Sequence, residues 1–177
     1  MSRCVRSLFD AEWMIRAFDD GALLCTAAGR RVGKVLLQAP ATCLLIVLGP
    51  QRRPWRLVIG RSDGVVEVRT VPNLSPLVEW KVSDSPVTAL ASLPCRHSDT
   101  PRLVCGDSQG AVREVADPSP GIGVQPLFTL SGSVSALRVR RDRIDAWSGW
   151  HREKRRWSGE PIGEARGRGL MQAALPV

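Results

Sequence analysis

Short apolar runs recur along the chain, each closed off by Gly, Pro or polar residues. Three of them, ATCLLIV at 41–47, VTALASL at 87–93 and VSALRVR at 134–140, start 46 and 47 residues apart. Short, apolar and partly β-branched, such runs suit buried strands. A second landmark keeps the same period: RLVIGRSDG at 56–64 and RLVCGDSQG at 102–110 share six of nine residues. Two landmarks on one period establish an internal repeat.

Each repeat reads as four strands. RLVIGRSDGVVEVRTV and RLVCGDSQGAVREV are two runs around a polar turn that ends in Gly, the pattern of a hairpin. The Asp63-Gly64 pair suits the positive φ angles of a tight turn. Val66, Glu67, Val68 and Arg69 alternate, so valines face one side and charges the other. LVEWKVS at 77–83 and VQPLFTL at 124–130 supply a fourth run, after connectors holding Pro72 and Pro76, or Pro118 and Pro120. Trp80, alternating with Val78 and Val82, is expected to pack on this outer strand.

Four short strands on a period of about 46 residues match propeller blades. Over roughly residues 22–166 the chain resembles the WD-repeat β-propeller family. LVIGRSDGVVEV looks like the family's second and third strands, and GRRVGKVL at 29–36 and SGEPIGEA at 158–165 resemble the linker into an outer strand. No Gly-His pair opens a blade, and Arg69-Thr70 and Ala116-Asp117 stand where a Trp-Asp pair would close one. The resemblance therefore implies irregular blades without the family's Asp-His-Ser-Trp hydrogen-bond network.

The expected fold is all-β, a propeller-like array of about four four-stranded blades in a single domain spanning 1–177, as a closed or an incomplete ring. Residues 41–83 and 87–130 form two blades, and 134–166 a poorer one in which RIDAWSGW replaces the clean hairpin. Residues 1–37 form a partial blade of three strands lacking its innermost, which the tail at 167–177 could supply from LMQAALPV. LFDAEWMIRAF at 8–18 fits a short helix or a strand equally. An unclosed arc would expose two apolar blade faces and invite association, with a second copy among the candidate partners.

Charge and cysteine content change the picture only in part. The net charge is +8, but 22 of the 25 basic residues are Arg, a skew that coding composition produces as readily as phosphate binding does. The five cysteines form no CxxC pair or metal-ligand spacing, and so read as apolar filler in a reducing, cytoplasmic setting. The acidic N-terminal stretch is not expected to act as a signal peptide, and the run at 41–49 is too short to cross a bilayer.

Candidate chemistry is sparse. Cys95, His97 and Asp99 form one isolated cluster that reads as an exposed loop, so no metal, cofactor or small-molecule substrate is expected. His151 has no acid or nucleophile beside it, and GIG at 121–123 precedes a strand rather than a helix. The expected function is a non-catalytic protein-interaction scaffold, since propellers present variable loops on a rim. Its contacts are expected in the loops at 51–55 and 95–100, through Arg52, Arg53, Trp55, Arg96 and His97. The alternative partner is nucleic acid, bound by the segment at 138–157 through Arg140, Arg141, Trp150, Arg155 and Arg156. A third reading makes the chain a fragment of a longer propeller.

Overall fold

The computed structural model describes residues 3–9, 13–48, 54–93, 102–115, 123–158 and 160–161. They form four antiparallel sheets in chain order. The first contains β1 (Cys4–Phe9), β2 (Trp13–Phe18), β3 (Ala22–Ala27) and β4 (Arg30–Leu36). The second contains β5 (Ala41–Leu48), β6 (Pro54–Arg61), β7 (Val65–Thr70) and β8 (Pro76–Lys81). The third contains β9 (Val87–Leu93), β10 (Arg102–Asp107), β11 (Ala111–Val115) and β12 (Val124–Thr129). The fourth has three strands, β13 (Ala136–Val139), β14 (Arg143–Ser148) and β15 (His151–Arg156). Within each sheet every strand pairs with the next in sequence.

The N-terminal region differs from expectation. Residues 1–37 carry four strands, not three, and the segment that fitted helix or strand is the β1–β2 hairpin, in register from Cys4–Phe18 to Phe9–Met14. The inner position assigned to the tail is therefore filled by β1. Residues 162–177 lie outside the described ones. RIDAWSGW is a clean hairpin after all, with Ser148 opposite His151 across Gly149 and Trp150.

No single sheet has a core of its own. The buried side chains gather in three clusters, each lying between one sheet and the next. Middle strands are covered on both faces, so β6 and β10 are nearly continuous apolar runs, whereas the outer strands β8 and β12 are largely exposed. Trp80 is half-buried against the second cluster and Trp13 against the first. First strands pack in sequence, β1 on β5, β5 on β9 and β9 on β13. Between β13 and β1 there is no packing of comparable extent among the described residues.

The junctions repeat residue by residue. A Cβ on Gly60 would meet Val87 Cγ1 at 2.7 Å, and one on Gly106 would meet Val134 Cγ1 at 2.5 Å. Only glycine lets the valine at or just before the start of the following sheet come so close. Small residues solve the same problem at the first junction, where Ala17 and Ala41 share the buried cluster. Hydroxyls pin these contacts. Thr42 Oγ1 donates to the carbonyls of Gly60 and Val87, and Thr88 Oγ1 reaches those of Gly106 (3.3 Å) and Val134 (2.6 Å). Ser135, next in the series, donates within its own sheet to the Trp147 carbonyl at 3.1 Å.

Candidate interaction surface on the fourth sheet

Register defines two faces on each sheet. The face of the fourth sheet toward the third carries Leu137, Val139, Ile144 and Ala146, all part of the third core cluster. The opposite face is a grid of three rows. Ala136, Trp147 and Arg152 form the first; Arg138, Asp145 and Lys154 the second; Arg140, Arg143 and Arg156 the third. Six cations share this face with Asp145; Arg140, Arg143 and Arg152 lie within 4 Å of it, and Arg156 pairs with Glu160 at 3.5 Å.

The matching rows of the second and third sheets are apolar except for Glu114 at one edge. Cys43–Gly60–Val66 and Leu45–Val58–Val68 occupy them in the second sheet, and Ala89–Gly106–Val112 and Ala91–Val104–Glu114 in the third. The central position is thus Ile15, Val58, Val104 and finally Asp145, all buried. Where the junctions need Ala17, Gly60 or Gly106, the fourth sheet has Trp147. The expectation of an apolar terminal face is overturned here: charge replaces the residues that would receive another sheet. On the other end of the array, Arg16 is exposed at the position that Ile59, Cys105 and Ala146 fill as buried residues.

Asp145 survives burial because guanidinium groups surround it. Arg152 Nη2 donates to Oδ2 at 2.8 Å, Arg143 Nε lies 3.3 Å from Oδ1, and Arg140 Nε lies 3.7 Å from Oδ2. Arg152 also lies 5.1 Å from the Trp147 ring centroid, stacking cation on indole. Arg138, Arg141 and Lys154 are exposed and have no ion-pair partner among the described residues. At the hairpin tip Trp150 is fully exposed.

Of the residues expected to contact nucleic acid, Arg140 and Arg156 lie on this face, Arg141 on the adjoining turn and Trp150 at the tip. Arg155 does not join them. It faces the third sheet, bonded to Glu153 at 2.7 Å and 5.7 Å from the Phe128 ring centroid. Trp157 is structural: its Nε1 donates to the carbonyls of Arg140 and Arg141, both at 3.1 Å, and Arg102 stacks 3.7 Å from its centroid. Arg138, Arg152 and Lys154, cations of the 138–157 segment outside the five residues singled out, join this surface, as the alternation along β15 signals.

Arg52, Arg53, Arg96 and His97 lie outside the described residues, as do Cys95 and Asp99. Trp55 falls within β6 rather than in the preceding loop, and its side chain lies outside the described ones. Among the described residues no cluster of His, Cys, Asp and Glu could hold a metal. No helix there is long and apolar enough to cross a membrane.

Other charged groups are tied into the hairpins. Arg61 is buried, bonded through Nε to Asp63 Oδ1 at 3.0 Å and through Nη1 to Glu67 Oε2 at 3.3 Å. The Arg61 bond holds the Asp63 carboxyl below its ordinary value against a smaller opposing effect of burial. Burial alone would raise Asp107, but hydrogen bonds from Arg113, Ser83 and the Ala111 amide together outweigh it and lower its pKa. Burial pushes the Cys105 thiol up to about 12 and raises Cys25 as well.

No protein-family profile matches the chain, and no curated protein does. Solved structures do match, at identities that establish fold alone. The computationally designed Ika8 protein aligns with TM-score 0.69 and 18% identity over 88% of this chain and 46% of its own. The designed Ika4 protein gives TM-score 0.71 and 18% identity over 88% and 92%. A chain from the crystal structure of a mitotic checkpoint complex gives 0.68 and 16% over 89% and 50%. The fold is propeller-like. The chain spans about half the length of the first and third of these structures.

Proposed function

We propose that this chain is a non-catalytic, cytoplasmic protein-interaction scaffold, a WD-repeat-like array of four blades forming an incomplete ring. The observation that carries the reading is the stack itself. Sheets locked to one another at repeated glycine and threonine contacts make a rigid support, and equivalent connections then leave adjacent sheets at the same end. The segments at 51–55 and 95–100 include two such connections, between first and second strands, and Arg52, Arg53, Arg96 and His97, with Trp55 at the start of β6, are the residues proposed to make contact. Aromatic and Arg side chains dominate binding energy at protein interfaces.

The test is affinity capture from a cell extract at moderate salt, comparing the native chain with the triple variant Arg52→Ala, Arg53→Ala, Trp55→Ala. Loss of a captured protein, with an unchanged circular dichroism spectrum, supports the rim reading. Undiminished capture overturns it.

A further inference from the structure

We propose that the outward face of the fourth sheet binds single-stranded nucleic acid, independently of the rim loops. Three observations converge. The face that should receive a further sheet is instead cationic, with Arg138, Arg140, Arg152, Lys154 and Arg156 around a carboxylate already neutralised by its neighbours. Trp147 fills the place where stacking of another sheet requires a small residue, so the face is shaped against a blade. Trp150 stands fully exposed at the end of the same hairpin.

The geometry points to an extended polyanion. Alternate residues on a strand lie about 6.8 Å apart, so Arg152, Lys154 and Arg156 form an evenly spaced row of basic side chains, of which Arg152 pairs with Asp145, Arg156 with Glu160 at the edge, and Lys154 is outside any ion pair among the described residues. Arg138 lies in the same cross-strand row as Lys154, with Asp145 between them. A flat sheet carrying cations and aromatic rings is a surface on which unstacked bases lie, whereas duplexes are read through their grooves. An acidic peptide would satisfy the cations and leave Trp150 idle. Each nucleotide brings a phosphate and a flat base together, which answers both features.

The experiment is fluorescence anisotropy of a labelled oligothymidylate 20-mer titrated with the full chain at several salt concentrations. Binding that weakens steeply with salt is expected. The variant Arg138→Ala/Lys154→Ala removes two exposed cations outside every ion pair described, and should reduce the log–log salt slope by about 1.4, at about 0.7 per phosphate contact on single strands. Trp150→Ala should weaken binding about tenfold through lost stacking. Arg30→Ala/Arg31→Ala, on exposed positions of the first sheet, should change neither quantity. Absence of binding at low salt overturns the proposal. So does an equal loss in the first-sheet control, or displacement of the oligonucleotide by poly-glutamate at matched charge. Because no rim residue is altered, its failure leaves the scaffold reading standing, and the reverse also holds.

Discussion

Arg61 and Asp107 occupy one position of the repeat, 46 residues apart, and carry opposite charges. Each is 2% exposed, and each pairs with the residue six positions on, Arg61 with Glu67 and Asp107 with Arg113. The second and third hairpins each hold a neutralised pair at this site, in opposite polarity. In this way the chain holds its turns without the hydrogen-bond network that the family resemblance lacks. Asp107 adds bonds that Arg61 cannot make, accepting from the amides of Gln109 and Ala111 and from Ser83 Oγ at 2.7 Å.

Acid stability should report on Asp107. Its folded pKa is lowered, so its contribution is complete above the unfolded value of about 3.9 and disappears as pH falls through the lower folded value. Urea midpoints should be flat from neutrality to about pH 5 and decline below about pH 4. Asp107→Asn should lose about 1–3 kcal/mol at pH 7 and show a shallower acid decline, with Asp63 supplying what remains. An unchanged acid limb would refute this assignment.

The sheet junction should be sensitive to a single methyl group. A Cβ on Gly106 would lie 2.6 Å from Val134 Cβ, too near the main chain for a rotamer change to relieve. Gly106→Ala should cost about 1–3 kcal/mol, and adding Val134→Ala should recover part of it. Denaturant unfolding of the two variants measures the coupling.

Asp145 invites a counterintuitive substitution. Asp145→Val installs the residue that the second and third sheets use at this position, yet it strips three guanidinium groups of their shared counter-charge. The loss should be about 1–3 kcal/mol. It falls short of a fully buried pair because the Arg140 and Arg152 side chains remain 40% and 39% exposed. A neutral or stabilising outcome would show that the carboxylate contributes nothing to the fold.

Thiol reactivity should separate the cysteines. Cys4 is exposed, whereas Cys25 and Cys105 are buried with raised pKa values, Cys105 to about 12. Since the thiolate is the nucleophile, a disulfide reagent at pH 8 should modify Cys4 in the native protein and reach Cys25 and Cys105 only after unfolding. Mass spectrometry of the labelled peptides reads the order directly.

The repeat made the second and third sheets legible because close contact leaves few choices: Gly60 and Gly106 recur with Val87 and Val134 for one steric reason, and Thr42 and Thr88 for the hydrogen bonds that pin the contact. The first sheet was harder. CVRSLF and WMIRAF mix charge with apolar residues, and their short runs suit a helix turn as well as a strand until the pairing partner is known. The cationic surface was half visible. The richness of 138–157 in Arg and Trp was plain, but membership follows strand parity, which sends Arg152, Lys154 and Arg156 outward and Arg155 inward. Asp145, read along the chain as partial neutralisation of a patch, is in space the centre of the grid.

The charge at the two ends of the array also bears on assembly. A stack of sheets with sticky, complementary ends joins head to tail, and when the rotation does not close, such joining runs on into filaments. Here the leading end displays guanidinium groups and an indole, and the trailing end displays Arg16. Among the described residues, like charge thus meets like charge when two chains approach end to end, which disfavours joining through the geometry that holds the chain's own sheets together.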